Sequence, residues 1–367
     1  MKKYYIRISD KCNLHCKHCY AKNQYDQTKI QYVNPTQVIN WIDKDITKDI
    51  LDRKAKNLEP NVYVISFHGG EPFVDARSCD LVEFISDSFM NAKYKDQLQF
   101  DATTNLLVGY NTDNTPLTRL KVFLDNPYFY YENRPFLKIS WDYGDLRFNE
   151  LTEKLWWDNV ESLKAMYPNI YLKVNICLTK QLVKSDFLTK DWKRFEETFT
   201  EVHFEKLTKN TTLDKSVIPL YKDIDKFLVA LYKMKPKIRV DNFEAIISAI
   251  DGKFLGCAER CCTEIVRTIN ADGSVSSCPN TFMTTFDHID PMKAKEIQHN
   301  NKPKYDSLVY KEKFDRYYAC YICPLFKICN GGCFQLQSDE EGHCSGDKEL
   351  MMEILLDRAS SKIKEAN

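Results

Sequence analysis

Cysteine is the residue type in this sequence best suited to chemistry. The chain has 367 residues and 14 cysteines. Three occur together at Cys12, Cys16 and Cys19, nine occur between residues 257 and 344, and two are isolated. Core packing alone would spread cysteines along the chain, so clusters at ligand spacings indicate metal sites.

The first group, with the spacing C-x3-C-x2-C, follows a short predicted strand. Three thiolates on such a loop can hold three irons of a [4Fe-4S] cube and leave the fourth iron open, whereas an electron-transfer cluster uses four cysteines. An open position is what a catalytic metal site requires. The alternative is a zinc site with His15 or His18 as fourth ligand. Zinc fingers usually have a second pair of ligands, and none follows closely here.

On these residues the sequence resembles the radical S-adenosylmethionine (SAM) superfamily. The segment CNLHCKHCY, residues 12–20, is similar to the superfamily's signature, and Tyr20 is the aromatic residue typical after the last cysteine. The resemblance implies that the open iron chelates the amino and carboxylate groups of SAM. Reduction of the cluster would then cleave the sulfonium and yield a 5′-deoxyadenosyl radical.

Further motifs resemble the SAM contacts of the same superfamily. The sequence HGGEP is similar to the GGE motif, in which a strand edge binds the methionine amino group, and it implies cofactor contacts at Gly69, Gly70 and Glu71. Glycines let a backbone approach a ligand closely. The pair Thr104-Asn105 resembles the family's TN step at the end of the next predicted strand. A plain polar strand end would explain the same pair.

The following predicted strand ends in residues similar to the family's S-x-D step. There Ser140 would contact the carboxylate or the ribose of SAM, with Asp142 two residues on. Arg147 matches the SAM-contacting arginine of the family, since a guanidinium can pair bidentately with a carboxylate. A surface arginine at the start of a helix is the alternative interpretation of Arg147.

These residues need a scaffold that brings strand ends together. Strand-like and helix-like stretches alternate in the N-terminal half, which favours parallel βαβ units in an α/β fold, either a partial barrel or a doubly wound sheet. The family resemblance favours a partial (β/α)6 barrel over residues 1–210. We further predict a helical bridge over 211–256, a cysteine-rich iron–sulfur domain over 257–345 and a C-terminal helix over 346–367.

The second group of cysteines includes the run C-x2-C-x5-C-x3-C over residues 320–333, preceded by an Asp-Gly turn. This order resembles the SPASM domain, the C-terminal extension of one radical SAM subfamily, and implies two fully ligated auxiliary [4Fe-4S] clusters. The first would use Cys257, Cys261 (slightly favoured over its neighbour Cys262), Cys278 and Cys333. The second would use Cys320, Cys323, Cys329 and Cys344. Two structural zinc sites are the alternative.

The resemblance implies an enzyme that modifies a peptide or protein. Fully ligated clusters can accept the electron that an oxidative reaction releases. We expect a thioether or C–C crosslink, or another oxidative modification, in a ribosomally made peptide. Anaerobic sulfatase maturation is an alternative, although Pro279-Asn280 stands where those relatives carry an aspartate base. A non-catalytic iron–sulfur electron carrier is the alternative from another class.

Three residues near predicted strand ends are candidates for a catalytic base, namely Asp142, His203 and Glu205. Each of them also fits an ordinary role as a solvated or paired side chain. The sequence alone therefore does not select one of them.

The charge and the hydropathy of the chain limit the classes of partner that we expect it to bind. The chain carries 52 basic and 52 acidic residues, which gives no electrostatic reason to expect nucleic acid or an anionic membrane. No apolar run is long enough to span a bilayer, and no secretory leader precedes the first strand. We therefore predict a cytoplasmic enzyme with no nucleic-acid or membrane partner. Its electron donor would be of the flavodoxin or ferredoxin type.

Overall fold

The computed structural model describes residues 1–21, 29–107, 117–208, 212, 214–253, 265–280, 285–297, 320, 322–329, 333, 336, 339 and 341–366. Two of the predicted auxiliary-cluster ligands, Cys257 and Cys261, lie outside the described residues, as does Cys262.

Strands and helices alternate along the described chain. The strands are β1 (Lys2–Arg7), β2 (Tyr63–His68), β3 (Leu98–Thr104), β4 (Tyr130–Tyr131), β5 (Arg134–Trp141), β6 (Tyr171–Leu178), β7 (Glu201–Lys206), β8 (Arg239–Val240), β9 (Val266–Ile269), β10 (Ser274–Ser276) and β11 (Thr285–His288). The helices are α1 (Pro35–Ala55), α2 (Ala76–Phe89), α3 (Thr118–Leu124), α4 (Glu150–Met166), α5 (Lys180–Lys184), α6 (Phe187–Lys190), α7 (Trp192–Thr198), α8 (Tyr221–Lys233), α9 (Asp241–Ile250), α10 (Phe326–Cys329) and α11 (Lys348–Ala366).

The strands form one sheet in the order β11-β10-β9-β1-β2-β3-β5-β6-β7-β8, with β4 on the edge of β5. Neighbouring strands from β1 to β7 along this order run parallel, and each is separated from the next by at least one helix. The predicted α/β class with a partial (β/α)6 barrel is therefore confirmed. In such a fold the carboxyl ends of all six strands meet at one end of the barrel, where ligands usually bind.

Capping residues at the starts of the helices explain where the helices begin. The side chain of Asn34 accepts a hydrogen bond from the amide of Gln37 and caps α1, whose first residue is Pro35. At α4, Asn149 and Thr152 form a reciprocal capping box. These caps satisfy amides that would otherwise lack partners, and they fix where each helix leaves the sheet.

Alternation along the strands separates the apolar layer from the barrel interior. In β5 the residues Leu137, Ile139 and Trp141 are buried, and they belong to the main apolar core with residues of the surrounding helices. The residues between them are polar, and Lys138 forms a close ion pair with Asp101 of β3. Such pairs satisfy buried charges inside the barrel.

The sheet continues from the barrel into the C-terminal region. Strand β9 pairs in parallel with β1, and a tight turn at Gly273, with a φ of 87°, returns the chain as β10. Helix α11 packs on α8, where the carboxylate of Asp225 accepts hydrogen bonds from two backbone amides in the first turn of α11. The C-terminal region is thus attached to both edges of the barrel. Among the described helices, none combines the length and the apolar composition that a membrane span requires.

Candidate active site

A cavity of about 380 Å³ opens at the carboxyl ends of the barrel strands. Nearly all of the predicted catalytic and cofactor-contacting residues line it, namely Cys12, Cys16, Cys19, Tyr20, Gly69, Gly70, Glu71, Thr104, Asn105, Ser140 and Arg147. These residues come from five separate segments of the sequence, so the fold brings together what the motifs predicted separately. Asp142 is the one predicted contact that does not line this cavity.

The three cysteines of the first group form no disulfide, and all three line the cavity. Cys16 is 7% exposed, and the sulfur of Cys12 accepts a long hydrogen bond of 3.4 Å from the amide of Leu14. Burial raises the pKa of Cys12 to about 12, so that its thiolate needs a bound cation to form at neutral pH. Three cysteine sulfurs on one loop, all in the lining of one cavity, fit a cluster with three protein ligands.

The backbone at Gly69 and Gly70 packs directly against the loop that leads to Cys12. The amide of Gly70 donates to the carbonyl of Ser9 at 2.9 Å, and the amide of Glu71 donates to the carbonyl of Lys11 at 2.8 Å. A Cβ atom at Gly70 would lie 2.2 Å from the Lys11 carbonyl oxygen. These glycines therefore permit a close approach between strand β2 and the cysteine loop.

The side chain of Glu71 joins two of the predicted motifs. Its carboxylate accepts hydrogen bonds of 2.7 Å from the hydroxyl of Thr104 and 2.7 Å from the amide of Asn105. It is 1% exposed, and burial raises its pKa to about 7. The side chain of Asn105 in turn donates to Asn13 at 2.8 Å. Glu71, Thr104 and Asn105 thus hold the ends of β2 and β3 against the cysteine loop.

Arg147, which lines the cavity, belongs to a buried ion pair. The carboxylate of Asp142 is 2.5 Å from Nε of Arg147 and 3.1 Å from Nε2 of His18, and it also accepts a 2.8 Å hydrogen bond from the amide of Cys177. Burial alone would lower the pKa of Arg147, but Asp142 outweighs it and keeps the guanidinium charged. Asp142 lies behind Arg147, which presents its positive charge to the cavity.

Strands β6 and β7 add three cavity residues outside the SAM-contact motifs, and one of them, Glu205, is a predicted candidate base. Asn175 and Cys177 of β6 and Glu205 of β7 line the same space, and Cys177 is the register partner of Glu205. The amide oxygen of Asn175 is buried without a hydrogen-bond partner among the described residues. The period-two continuation of the predicted strands is the signal that could have identified all three as inward-facing.

The structure separates the three candidate bases. Asp142 is fully buried and already has three partners. His203 lies 3.2 Å from Asp241 and is not part of the cavity lining. Glu205 alone among the three lines the cavity.

The C-terminal cysteines approach the barrel beside Lys206 of β7. The ammonium group of Lys206 donates to the carbonyl of Ser345 at 2.6 Å and pairs with Asp347 at 2.5 Å. A Cβ atom placed at Gly346 would lie 2.9 Å from the sulfur of Cys329 and 3.3 Å from that of Cys344. Two predicted ligands of the second auxiliary cluster therefore have their sulfurs in one place. The other two, Cys320 and Cys323, are joined by a tight turn with a 2.8 Å backbone hydrogen bond.

Comparison with known proteins agrees with this site. The family described as a 4Fe-4S single cluster domain matches residues 4–141. The radical SAM cyclopropyl synthase TigE of Paramaledivibacter caminithermalis is 33% identical over 103 residues. That segment is 26% of this chain and 19% of TigE, so the chain matches about a fifth of that relative's length.

Solved structures extend the similarity to the whole fold. A structure of anSMEcpe, a SPASM-type sulfatase maturase, with bound AdoMet has a TM-score of 0.68 at 19% identity and covers 97% of each chain. A second structure of anSMEcpe, with AdoMet and the Cp18Cys peptide, has a TM-score of 0.66 at 20% identity and covers 100% of this chain and 99% of that one. The resemblance to radical SAM enzymes with a SPASM-type extension, predicted from the motifs, is thereby confirmed.

Proposed function

We propose that this chain, which has the fold and the cysteine motif of radical SAM enzymes, cleaves SAM and oxidatively modifies a ribosomally made peptide by forming a thioether or C–C crosslink. The observation that carries the proposal is the shared cavity, which is lined by the three cysteines of the first group and by Arg147. A [4Fe-4S] cluster with an open iron, together with SAM, would supply a 5′-deoxyadenosyl radical.

The residues around the cavity suit this cofactor pair. Cys12, Cys16 and Cys19 would hold the cluster, and the methionine part of SAM would lie along the edge at Gly69 and Gly70, which line the same cavity. Arg147 offers a fixed positive charge to a carboxylate in a water-poor site, where such a pairing is stronger than in water. Ser140 and Tyr20 complete the wall as further contacts.

A peptide substrate and two further clusters are part of the proposal. The named relatives support a peptide, since one solved structure of anSMEcpe contains the Cp18Cys peptide. Cys278, Cys320, Cys323, Cys329, Cys333 and Cys344, with Cys257 and Cys261, would hold two auxiliary [4Fe-4S] clusters. These clusters would accept the electron that the oxidative reaction releases. The external electron donor would be of the flavodoxin or ferredoxin type.

Glu205 is our candidate for the group that takes a proton from the peptide. It lines the cavity on β7, next to Cys177 on β6, while the other two candidate bases are occupied elsewhere. With a peptide that the wild type modifies, we expect Glu205→Gln to cleave SAM but to lose most of the product. Glu205→Asp should retain part of it, because a carboxylate remains.

The decisive experiment is anaerobic reconstitution with iron and sulfide, followed by dithionite and SAM. We expect 5′-deoxyadenosine and about twelve irons per chain, as three [4Fe-4S] clusters require. Cys16→Ala should abolish SAM cleavage. Cys79→Ala is the matched control, because Cys79 lies on α2 outside the cavity. Absence of 5′-deoxyadenosine from the wild type would favour the electron carrier, and about four irons would reject the auxiliary clusters.

Sulfatase maturation is a second candidate, and the fold similarity to anSMEcpe favours it. Against it, Pro279-Asn280 follows Cys278, and Asn280 lines the cavity where a base would be needed. An amide cannot accept the proton that a carboxylate accepts at neutral pH. Mass spectrometry of a cysteine- or serine-containing sulfatase peptide after turnover decides this point, since formylglycine would support the second candidate.

A further inference from the structure

A buried arginine connects two separate cysteine segments. Arg7 is the last residue of β1 and is 2% exposed. Its guanidinium lies 5.2 Å from the ring centroid of Tyr20 and donates a close hydrogen bond to the carbonyl of Pro279. A charge buried to this extent is costly unless it is paired and hydrogen-bonded, so its position calls for a reason.

Tyr20 and Pro279 are each the immediate neighbour of a predicted cluster ligand. Tyr20 follows Cys19 of the first cluster, and Pro279 follows Cys278, which is 4% exposed. The topology produces this arrangement, because β9 pairs in parallel with β1 and the β9–β10 hairpin then leads into Cys278. The guanidinium therefore lies between the cysteine loop of the barrel and the first described cysteine of the C-terminal region.

We infer that Arg7 is a positioning residue that fixes the Cys278 segment against the first cluster's loop and stabilises the reduced form of the auxiliary cluster held by Cys278. This inference rests on the proposed function, because it needs Cys278 to be a cluster ligand. A planar guanidinium can stack on a ring and donate to a carbonyl at once. In a water-poor interior, its positive charge stabilises the reduced cluster, which carries one more electron than the oxidised cluster. No bond is made or broken in this step.

The test measures reduction potentials by EPR-monitored titration of the reconstituted full chain. A background with Cys12, Cys16 and Cys19 replaced by alanine leaves only the auxiliary signals. We expect Arg7→Gln to lower the reduction equilibrium constant of one auxiliary cluster about tenfold, which is about 59 mV for a one-electron couple. Arg7→Lys should lower it about threefold, because the charge remains while the fork geometry is lost.

Lys3→Gln is the matched control. Lys3 lies on the same strand and pairs with Asp101 at 3.5 Å, away from the cysteine segments. We expect it to leave both auxiliary potentials unchanged. Equal shifts in Arg7→Gln and Lys3→Gln would overturn the inference, and so would unchanged potentials in Arg7→Gln with full iron content.

Two further outcomes keep this test separate from the proposed function. If Arg7→Gln does not fold, Arg7→Lys decides. Unchanged reduction potentials of its auxiliary clusters would then overturn the inference. If the wild type binds only about four irons, the auxiliary clusters of the proposed function fail first, and the inference fails with them. If the wild type binds about twelve irons but the arginine variants match it, only the inference fails.

Discussion

The carboxylate of Asp142 lies 2.5 Å from Nε of Arg147, and Asp142 is fully buried. His18, from the cysteine motif, contacts the same carboxylate oxygen at 3.1 Å. Asp142, which does not line the cavity, thus sets the position of Arg147, which does. Asp142 also links the barrel wall to the cysteine loop through His18. Removing one partner of such a buried group leaves an uncompensated charge.

We therefore predict that Asp142→Asn destabilises the apo protein by about 3–5 kcal/mol, the usual cost of breaking a buried ion pair. Urea unfolding followed by circular dichroism measures this. The control is Asp145→Asn, since Asp145 pairs with Lys17 on the surface and has a side chain that is 68% exposed. Its loss should leave the free energy of unfolding nearly unchanged, because solvent screens an exposed ion pair. Equal effects of the two substitutions would contradict the prediction.

Gly70→Ala should damage the cysteine loop more than it damages the fold. The added Cβ would lie 2.2 Å from the carbonyl oxygen of Lys11, so the backbone before Cys12 must move. We expect reconstituted protein to lose about four irons and to cleave SAM at a small fraction of the wild-type rate. Iron analysis and 5′-deoxyadenosine formation measure these effects.

Gly252→Ala separates this clash from general backbone strain. Gly252 has a φ of 73°, but nothing lies within 4 Å of its Cβ position. The alanine there should cost about 1–2 kcal/mol in stability and leave the iron content unchanged. A Gly70→Ala protein with full iron content would show that the cysteine loop tolerates the displacement.

Asp75 gives the fold a defined dependence on acid. Its carboxylate caps α2 and accepts hydrogen bonds of 2.8 Å from Lys11 and 2.8 Å from Tyr32. Burial alone would raise the pKa of Asp75, but the hydrogen bonds from Lys11, Ser78 and Tyr32 outweigh it and lower the pKa to about 2. The unfolded chain has a pKa of about 3.9, so this stabilisation is complete above about pH 5 and is lost as the pH falls toward 2.

We accordingly expect Asp75→Asn to lower the free energy of unfolding by about 2 kcal/mol at pH 6. The difference from wild type should shrink between about pH 4 and pH 2, as the wild-type carboxylate takes up its proton. Asp80→Asn on the exposed face of α2 is the control. A difference that stays constant down to pH 2 would show that the cap, and not the charge, carries the effect.

Local signals in the sequence predicted most of the barrel. Asn34-Pro35 marks the true start of α1, because a cap and a proline act within a few residues. The start of α2 is harder to predict, because helical periodicity of apolar residues begins at Leu81, whereas the helix begins at Ala76 after the cap of Asp75. The first turn of α2 is polar, so hydrophobic periodicity does not reveal it.

Spacing likewise predicted the cavity cysteines, since ligands of one metal on one loop are close in sequence. The contacts that hold the site together are of another kind. Arg7 reaches Pro279, and Lys206 reaches Ser345, across distances in sequence that no local pattern encodes. The resemblance to the S-x-D step placed Asp142 among the cofactor contacts, and the structure pairs its carboxylate with Arg147, which lines the cavity as Asp142 does not.

The last prediction tests the second auxiliary cluster through Gly346. A Cβ at this position would lie 2.9 Å from the sulfur of Cys329, which is shorter than real contacts, and 3.3 Å from that of Cys344, which is tighter than most of them. Gly346→Ala must therefore push one sulfur away from the other ligands. We expect the variant to lose about four irons while it still cleaves SAM at the first site.

Gly342→Ala is the matched control, four residues earlier in the same segment. Gly342 has a φ of 78° and nothing within 4 Å of its Cβ position, so an alanine there is strained but meets no sulfur. It should cost about 1–2 kcal/mol in stability and keep the full iron content. If Gly346→Ala also keeps all of its iron, then Cys329 and Cys344 do not share a cluster. Because the two glycines differ in their distance to the thiols, the contrast in bound iron reports on the cluster itself.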